Sequence, residues 1–457
     1  MTTLTLTGRA TPDQTQTYAH LPFEVPAGTA RIDVKYAYSD EVGSDPHLTD
    51  GNTVDIGIFD SRGIDFLTDG FRGWSGSARR EFTVGTRDAT PGYVAGPIQP
   101  GTWHIALGLY KIAPQGCEIT VEINIVASEG ETGEFPIRLP MRDTVSAHSR
   151  PDGWYCGELH CHTYHSDGDS DPAAVVRKAE ILGLDFLAIT DHNVLTQQVT
   201  LNSLETSLVL IPGCEVTTYK GHWNIWGEDG WIDFRVTEES HLRRAADKAT
   251  RHGYHRSLNH PRQFGPEWAY PAVDDFDSFE VWNGPWPALN DQCVEFWEER
   301  LRAGRRIPAV GGSDCHFHKR EHPAKLAEPI VWAYAPQGLT ARAVLDAVRA
   351  GHVMISESIN GPRLFMRVGE SIMGDAVPRP DAGRLLRLTL HVERGAGCIL
   401  EIVTARGIVA TLDVTTNDVR FNLGVDVSDS PYVRAQLADD RHEVRMIRAL
   451  TNPIYFD

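Results

Sequence analysis

DFLAITDHN, residues 185–193, is an apolar run that stops at a carboxylate, an imidazole and an amide. A run of this length suits a strand buried on both faces, and the polar residues after it fall where such a strand opens into a loop. SLVLIPG at 207–213 runs in the same way into Cys214 and Glu215. Working outward, GELHCHTYHSDGD (157–169), GCEVTTYKGHWN (213–224), LNHPR (258–262) and GGSDCHFH (311–318) carry the residue types that hold catalytic metals. With AITDHN (188–193) they offer His160, His162, Asp167, His192, Glu215, His222, His260, Asp314 and His316. A lone His-x-His says little, since alternation puts two imidazoles on one face of many surface strands. Ligands that follow strand ends converge at one end of a sheet, which is why these segments count together.

The surrounding pattern, from about 151 to 358, alternates strands with amphipathic helices. DPAAVVRKAEILG has an Asp-Pro start and a Gly stop, and EESHLRRAADKATRHG and LNDQCVEFWEERLRAG end in the same way. With SFEVWN, IPAVGG and PIVWAY between them, this predicts a parallel sheet or barrel whose catalytic residues sit at the carboxyl ends of the strands. Before it, runs such as ARIDVKYAYS, TWHIALGLYK and CEITVEINIVA alternate at the spacing of an antiparallel sandwich. After it, LLRLTLHVE, CILEIVTA and EVRMIRAL return to short alternating strands. The expected organisation is an N-terminal β-sandwich over 1–128, a polar linker over 129–152, a catalytic α/β domain over 153–358 and a C-terminal β-rich domain over 359–457.

A chain of 457 residues exceeds one ordinary core, and a hydrophobic share of 41% with 23% charged residues belongs to a soluble globular protein. The formal charge of -19 argues against stable nucleic-acid binding, which needs a basic face. Seven cysteines without CxxC spacing, Cys161 and Cys315 among those inside the ligand segments, fit a reducing cytoplasm. No signal peptide or apolar membrane span is visible, so a cytoplasmic location is expected, with no membrane partner. A homo-oligomer is compatible with the sequence.

The ordered set HCH...SDG, TDH, CE...GH, NHP and SDCH resembles the polymerase and histidinol phosphatase (PHP) superfamily of metal-dependent hydrolases, over roughly 155–375. The GHWNIWG segment, the strand GHVMIS and the closing ALTNPIYF look closest to its carbaryl-hydrolase-related (CehA/McbA-type) branch. The resemblance implies a distorted seven-stranded (β/α)7 barrel, flanked here by the sandwich and the C-terminal β unit, and two or three divalent metal ions, zinc, manganese or iron. By motif, His160, His162 and Asp314 would bind the first ion, and Glu215 would bridge it to a second held by His222 and His260. Asp167, His192 and His316 would form a third, more exposed site, with His165 a competitor beside it.

A carboxylate shared by two cations offsets their repulsion, and Glu215 is the best placed for that role. A metal-bound hydroxide then serves as nucleophile near neutral pH without a Ser or Cys. Cys161 and Cys315 are expected as small packing residues. Asp191 is a candidate catalytic residue whose better reading is to orient an imidazole or cap a backbone. Arg262 could grip a substrate oxygen, with a salt bridge as the plain alternative, and His318 is kept as a candidate acid. Trp223, Trp226, Trp268, Trp282 and Trp286 could wall an apolar leaving group or simply pack. The leading functional expectation is a hydrolase of small-molecule phosphoesters. The alternatives are a carbamate or aryl-ester hydrolase using the same metals, and a non-catalytic binding protein with a relic barrel.

Overall fold

The computed structural model describes residues 2–45, 47–127, 150, 152–227, 229–263, 265–381 and 383–457. The chain starts with eight strands, β1 (Thr2–Ala10), β2 (Thr17–Val25), β3 (Thr29–Tyr38), β4 (Thr53–Phe59), β5 (Phe71–Gly76), β6 (Glu81–Gly85), β7 (Gly101–Lys111) and β8 (Cys117–Ala127). They form two antiparallel four-stranded sheets, ordered β1-β8-β3-β6 and β2-β7-β4-β5. Alternation explains the first: Ile32, Val34 and Tyr36 of β3 and Ile119, Val121 and Ile123 of β8 are buried, with more exposed residues between them. They share one core with Ile56, Ile58, Ile105 and Leu107 of the second sheet, as in a sandwich. The linker expected at 129–152 lies outside the described residues except for Arg150 and Asp152.

Strands and helices follow: β9 (Trp154–Glu158), α1 (Pro172–Leu182), β10 (Phe186–Ile189), α2 (Gln197–Ser203), β11 (Val209–Thr218), β12 (Gly221–Trp226), α3 (Glu239–Arg251), β13 (His255–Leu258), β14 (Ser278–Asn283), α4 (Asn290–Arg302), β15 (Ala309–Gly312), β16 (Ile330–Tyr334), α5 (Ala341–Ala350) and β17 (Val353–Ser356). Helix α1 starts and stops as its sequence requires. Asp171 accepts from Ala174 N, and Gly183 takes the left-handed φ of 79° that closes the last turn.

These strands lie in one sheet, ordered β15-β14-β13-β12-β11-β10-β9-β16-β17, which continues into Met446–Thr451, Tyr432–Asp439, Ile399–Thr404 and Gly407–Asp413. The C-terminal segment therefore extends the central sheet. It also adds a separate sheet built on Arg363–Val368, Leu386–Glu393 and Asp418–Val425. The central sheet curls, because the residues after β15 bond to those after β9 several strands away: Asp314 N donates to His160 O at 2.8 Å and His162 N to Cys315 O at 3.0 Å.

The ladder differs from the expected (β/α)7 barrel. β9, β10 and β11 are parallel, as are β13, β14 and β15, but β11-β12-β13 and β9-β16-β17 are antiparallel. Near the chain crossing from β15 to β9 there is the isolated bridge Cys161–Cys315, without a full ladder between those strands. β11 turns back as β12 through Tyr219 and Lys220, a connection too short for the crossover that parallel pairing needs, and β16 is reached from β15 by a loop; β13 and β17 follow α3 and α5 and still pair antiparallel with β12 and β16.

The sandwich packs on this sheet through a common core. Phe59, Trp74 and Ala106 join Val216, Trp223 and Phe234 in one buried cluster. No helix among the described residues is long and apolar enough to cross a membrane.

Candidate metal centre

All five ligand-bearing segments meet at one end of the central sheet. His160 and His162 follow β9, His192 follows β10, Glu215 lies on β11, His222 on β12, His260 just past β13, and Asp314 and His316 past β15. The turn of β11 into β12 pairs Thr217 with His222, bringing Glu215 and His222 onto one short hairpin. Asn193, His260 and Asp314 hold positive φ values of 62°, 29° and 50°. Non-glycine residues take such backbone where surrounding structure imposes it, commonly at functional sites.

Three sets of ligand atoms result, each within 4.8 Å: His160, His162 and Asp314; Glu215, His222 and His260; and His162, Asp167, His192 and His316. Glu215 sits between them. Its Oε1 lies 3.2 Å from His222 Nδ1, 3.3 Å from His260 Nε2 and 3.4 Å from His160 Nε2. Its Oε2 lies 2.8 Å from His192 Nδ1 and 3.6 Å from His162 Nε2. Asp314 Oδ1 is 3.0 Å from His162 Nε2 and 3.4 Å from His160 Nε2. Asp167 Oδ1 is 3.3 Å from His316 Nε2 and 3.5 Å from His192 Nε2. The last set is the most exposed: the Asp167 side chain is 45% accessible, whereas His160 and His162 are fully buried.

Several of these atoms are buried without a hydrogen bond. His160 Nε2, both ring nitrogens of His162, Glu215 Oε2 and Asp314 Oδ1 are all in this state. Buried polar atoms are ordinarily satisfied, and a cluster of unsatisfied acceptors and imidazoles facing one another is what a cation would complete. The donor set, imidazole with carboxylate, also suits a divalent transition metal. The residues therefore fit the metal that the motifs imply.

The electrostatics point the same way. Burial opposes charge on His160, yet Glu280, Asp314 and Glu215 raise its pKa well above the usual range. Burial likewise opposes charge on His316 and His192, and Asp167 overrides it, pushing His316 up to about 10 and His192 upward. Glu215 is buried and Asp314 half-buried, which opposes their charge, but the surrounding imidazoles hold both well below the carboxylate range. His162 differs. Burial, His316 and His192 lower it to about 4, so it is neutral and ready to donate a lone pair.

The ring orientations are set from behind. His160 Nδ1 lies 2.8 Å from Glu280 Oε1, His192 Nδ1 lies 2.6 Å from Thr217 Oγ1, and His316 Nδ1 lies 2.8 Å from the Asp314 carbonyl. Each bond leaves the Nε2 atom facing the cluster. Asn259 Nδ2 donates to Glu215 Oε1 at 2.9 Å, and the buried Glu158 accepts from the backbone of His160, Ser313 and Ala327. Sequence reasoning missed Glu280, Glu158, Thr217 and Asn259. The available signal was a lone carboxylate within each of two otherwise buried strands.

The three catalytic candidates go elsewhere. Arg262 donates to Asn283 O, Asn283 Oδ1 and Asn290 Oδ1, which ties the start of α4 to β14 and turns its guanidinium away from a substrate role. Asp191 is fully buried and accepts from Thr163 N, Thr163 Oγ1 and Ser166 Oγ, so of the two roles expected for it, it takes the backbone cap, at the loop before Asp167, and bonds to no imidazole. His318 Nε2 donates to the His162 carbonyl at 2.9 Å and its Nδ1 faces Cys315 Sγ, so it braces the first ligand segment and has no proton directed at the cleft. His165 turns to Thr196 Oγ1, leaving Asp167 in the cluster. Cys161 and Cys315 are buried packing residues, and burial pushes both thiols up.

The five tryptophans form no wall. Trp223, Trp226, Trp268, Trp282 and Trp286 are buried, and the indoles of Trp226, Trp268 and Trp282 donate to backbone carbonyls. An aromatic surface does exist, on the other side. A cleft of about 440 Å³ opens over Asp167, His192 and His222 and is faced by Tyr18, Trp74 and Tyr110 of the sandwich.

The PHP domain family model matches residues 158–274. The matched segment carries His160, His162, Asp167, His192, Glu215, His222 and His260, while Asp314 and His316 lie beyond it. Among solved structures, the chain is similar to a two-domain protein from Bacteroides vulgatus that contains a predicted PHP-like metal-dependent phosphoesterase. The identity is 15% and the TM-score 0.35, covering 68% of this chain and 100% of that one. It is also similar to an amidohydrolase from Chromobacterium violaceum, at 15% identity and TM-score 0.26, covering 36% of this chain and 89% of that one. No curated protein matches. The narrower likeness to the carbaryl-hydrolase-related branch has no counterpart among these matches.

Proposed function

We propose that the chain is a metal-dependent hydrolase whose catalytic centre is the cluster at the end of the central sheet, and that it cleaves phosphoesters of small molecules. The observation that carries this reading is Glu215, a buried carboxylate whose two oxygens face separate groups of imidazoles. His160, His162 and Asp314 would hold one ion, Glu215, His222 and His260 a second, and Asp167, His192 and His316 a third. Bound there, divalent ions supply Lewis acidity toward a phosphoryl or carbonyl oxygen and lower the pKa of water toward neutrality. The match of the PHP segment supports the hydrolase class.

The chain's own residues supply positioning. Glu280, Thr217 and the Asp314 carbonyl keep the Nδ1 atoms occupied so that the Nε2 lone pairs of His160, His192 and His316 point inward. Asp191 fixes the loop that carries Asp167 through Thr163 and Ser166. The closeness of three ligand sets favours a phosphoryl group, since its three oxygens can each meet a positive centre.

One observation favours a second reading, hydrolysis of a carbamate or aryl ester. The cleft over Asp167 and His222 is faced by tyrosines and a tryptophan, and its Arg80 is already bonded to Glu41, Tyr36 and Tyr38. That lining suits a neutral planar group. The deciding experiment reconstitutes the protein separately with zinc, manganese and iron. Phosphomonoesters and phosphodiesters are assayed beside an aryl carbamate and an aryl ester, with His160→Ala as control. Phosphoester turnover that vanishes in the control supports the first reading, turnover confined to carbonyl substrates supports the second, and turnover equal in wild type and control removes the cluster from catalysis.

A further inference from the structure

The N-terminal sandwich reaches the metal centre at two points. Arg79, in the turn between β5 and β6, donates to the carbonyls of Ser166, at 3.0 Å, and Tyr164. Those carbonyls flank the loop whose next residue is Asp167. The same loop is also held by Asp191, through Thr163 N and Ser166 Oγ. Close by, Gly92 N donates to Thr196 Oγ1 at 3.1 Å, and a Cβ at Gly92 would meet the His165 carbonyl at 2.6 Å, so the two backbones approach as far as glycine allows.

The second point is the tip of the β11–β12 hairpin. The Tyr219 ring lies between Tyr18 and Tyr110, with centroids 5.4 and 5.2 Å away and interplanar angles of 16° and 13°. Its hydroxyl donates to Asp55 Oδ2 at 2.8 Å. Tyr18 and Asp55 are the register partners of Gly108 on either side of β7, and a Cβ at Gly108 would come within 2.1 Å of the Tyr219 hydroxyl. The sandwich thus has a slot, floored by glycine and walled by two tyrosines, filled by one residue of the hairpin that bears Glu215 and His222.

We propose that the sandwich completes the metal centre, with Arg79 and Tyr219 as positioning residues that hold the Asp167 loop and the Glu215–His222 hairpin in place for ion binding. The first set, His160, His162 and Asp314, stands on the central sheet itself and needs no such help. The inference rests on the metal-centre reading above, and its test separates the two.

Mn²⁺ is titrated into metal-free full-length protein, counting ions and affinities by electron paramagnetic resonance, with far-UV circular dichroism and melting temperature recorded for each variant. Arg79→Ala should weaken the ion at the Asp167 set by ~10–100-fold, the usual effect of removing a group that orients a ligand. Arg79→Lys should restore part of the loss, because an ammonium can still donate to the two carbonyls. Tyr219→Ala should weaken the ion held by Glu215 and His222, with Tyr219→Phe, which keeps the stack, intermediate. The control is Arg235→Lys, at the same interface but bonded to the Ile64 and Asp65 carbonyls, away from any ligand-bearing loop. It should lower the melting temperature and leave ion number unchanged. Wild-type affinities in Arg79→Ala and Tyr219→Ala, or an equal loss of ions in Arg235→Lys, overturn the proposal. A wild type that takes up no ion at all sinks the metal-centre reading and takes this inference with it.

Discussion

Glu280 Oε1 lies 2.8 Å from His160 Nδ1, with both side chains buried, and Glu280 Oε2 accepts from Asn283 Nδ2 at 3.0 Å. Two donors therefore converge on one carboxylate, and its charge also raises the pKa of His160. Glu280→Gln keeps the shape but must turn an NH₂ group toward one of those donors. We expect metal affinity to fall by ~10-fold or more, in the range seen when a partner behind a metal-bound imidazole is removed. Calorimetric titration of the metal-free variant checks this, and an unchanged affinity would mean that Glu280 merely fills space.

Most of the nine candidate ligands are legible in the sequence because they follow a short apolar run where a strand opens into a loop, whereas Glu215 and His222 lie within β11 and β12. Glu280 is illegible by the same logic, since SFEVWN reads as a plain strand until His160 is known to lie behind it. The tryptophans mislead because residue type says nothing about which face a side chain takes, and Trp223 and Trp226 face the core. An apolar run also carries no record of strand direction. IVWAY reads equally well as a parallel or an antiparallel strand, and in the fold it is reached by a loop and pairs antiparallel with β9. The role of the sandwich is invisible from sequence because Arg79 and Ser166 are 87 positions apart and no periodicity links them.

Metal uptake should release protons. In the metal-free protein His316 is pushed up to about 10 by Asp167 against the effect of burial, and Glu280, Asp314 and Glu215 hold His160 well above the usual range, so these two imidazoles are largely protonated at neutral pH, with His192 shifted in the same direction. Ions must displace those protons, whereas the depressed carboxylates Glu215 and Asp314 hold none to give up. Affinity should therefore rise with pH between about 6 and 9, by up to ~10-fold per unit for each proton displaced. Calorimetry in buffers of different ionisation enthalpy reads the proton count directly, and a count of zero at pH 7 contradicts the charge assignment.

Glu215→Ala removes the one carboxylate that touches every ligand set. Hydrolysis should fall to background, and adding Asp314→Ala to it should cost little more, because residues acting as a unit are not additive. The sandwich core of Ile32, Val34, Ile123 and Ile105 is remote in sequence from both substitutions and should stay folded by circular dichroism. Full activity in a metal-quantified Glu215→Ala sample removes the bridging role.

Asp55 gives a stability test that needs no substrate. Burial pushes its carboxyl up to about 7 from an ordinary 3.8, although the Tyr219 hydrogen bond and Arg80 work to lower it. The sign follows from linkage. A carboxyl whose folded pKa is raised favours the folded state while it is protonated, and that contribution is lost as pH climbs from about 4 through about 7. Above that window the folded protein carries a buried charge that the unfolded chain bears in water. Asp55→Asn presents a carbonyl oxygen to the Tyr219 hydroxyl and cannot ionise. The variant should match wild type in melting temperature near pH 4 and exceed it at pH 8. The ceiling is about 4 kcal/mol, from roughly three pH units at ~1.4 kcal/mol each. Groups common to both proteins cancel in the difference, so a gap that stays constant from pH 4 to pH 8 would show that Asp55 is ionised throughout. In that case Tyr219 would be docked by a permanent carboxylate.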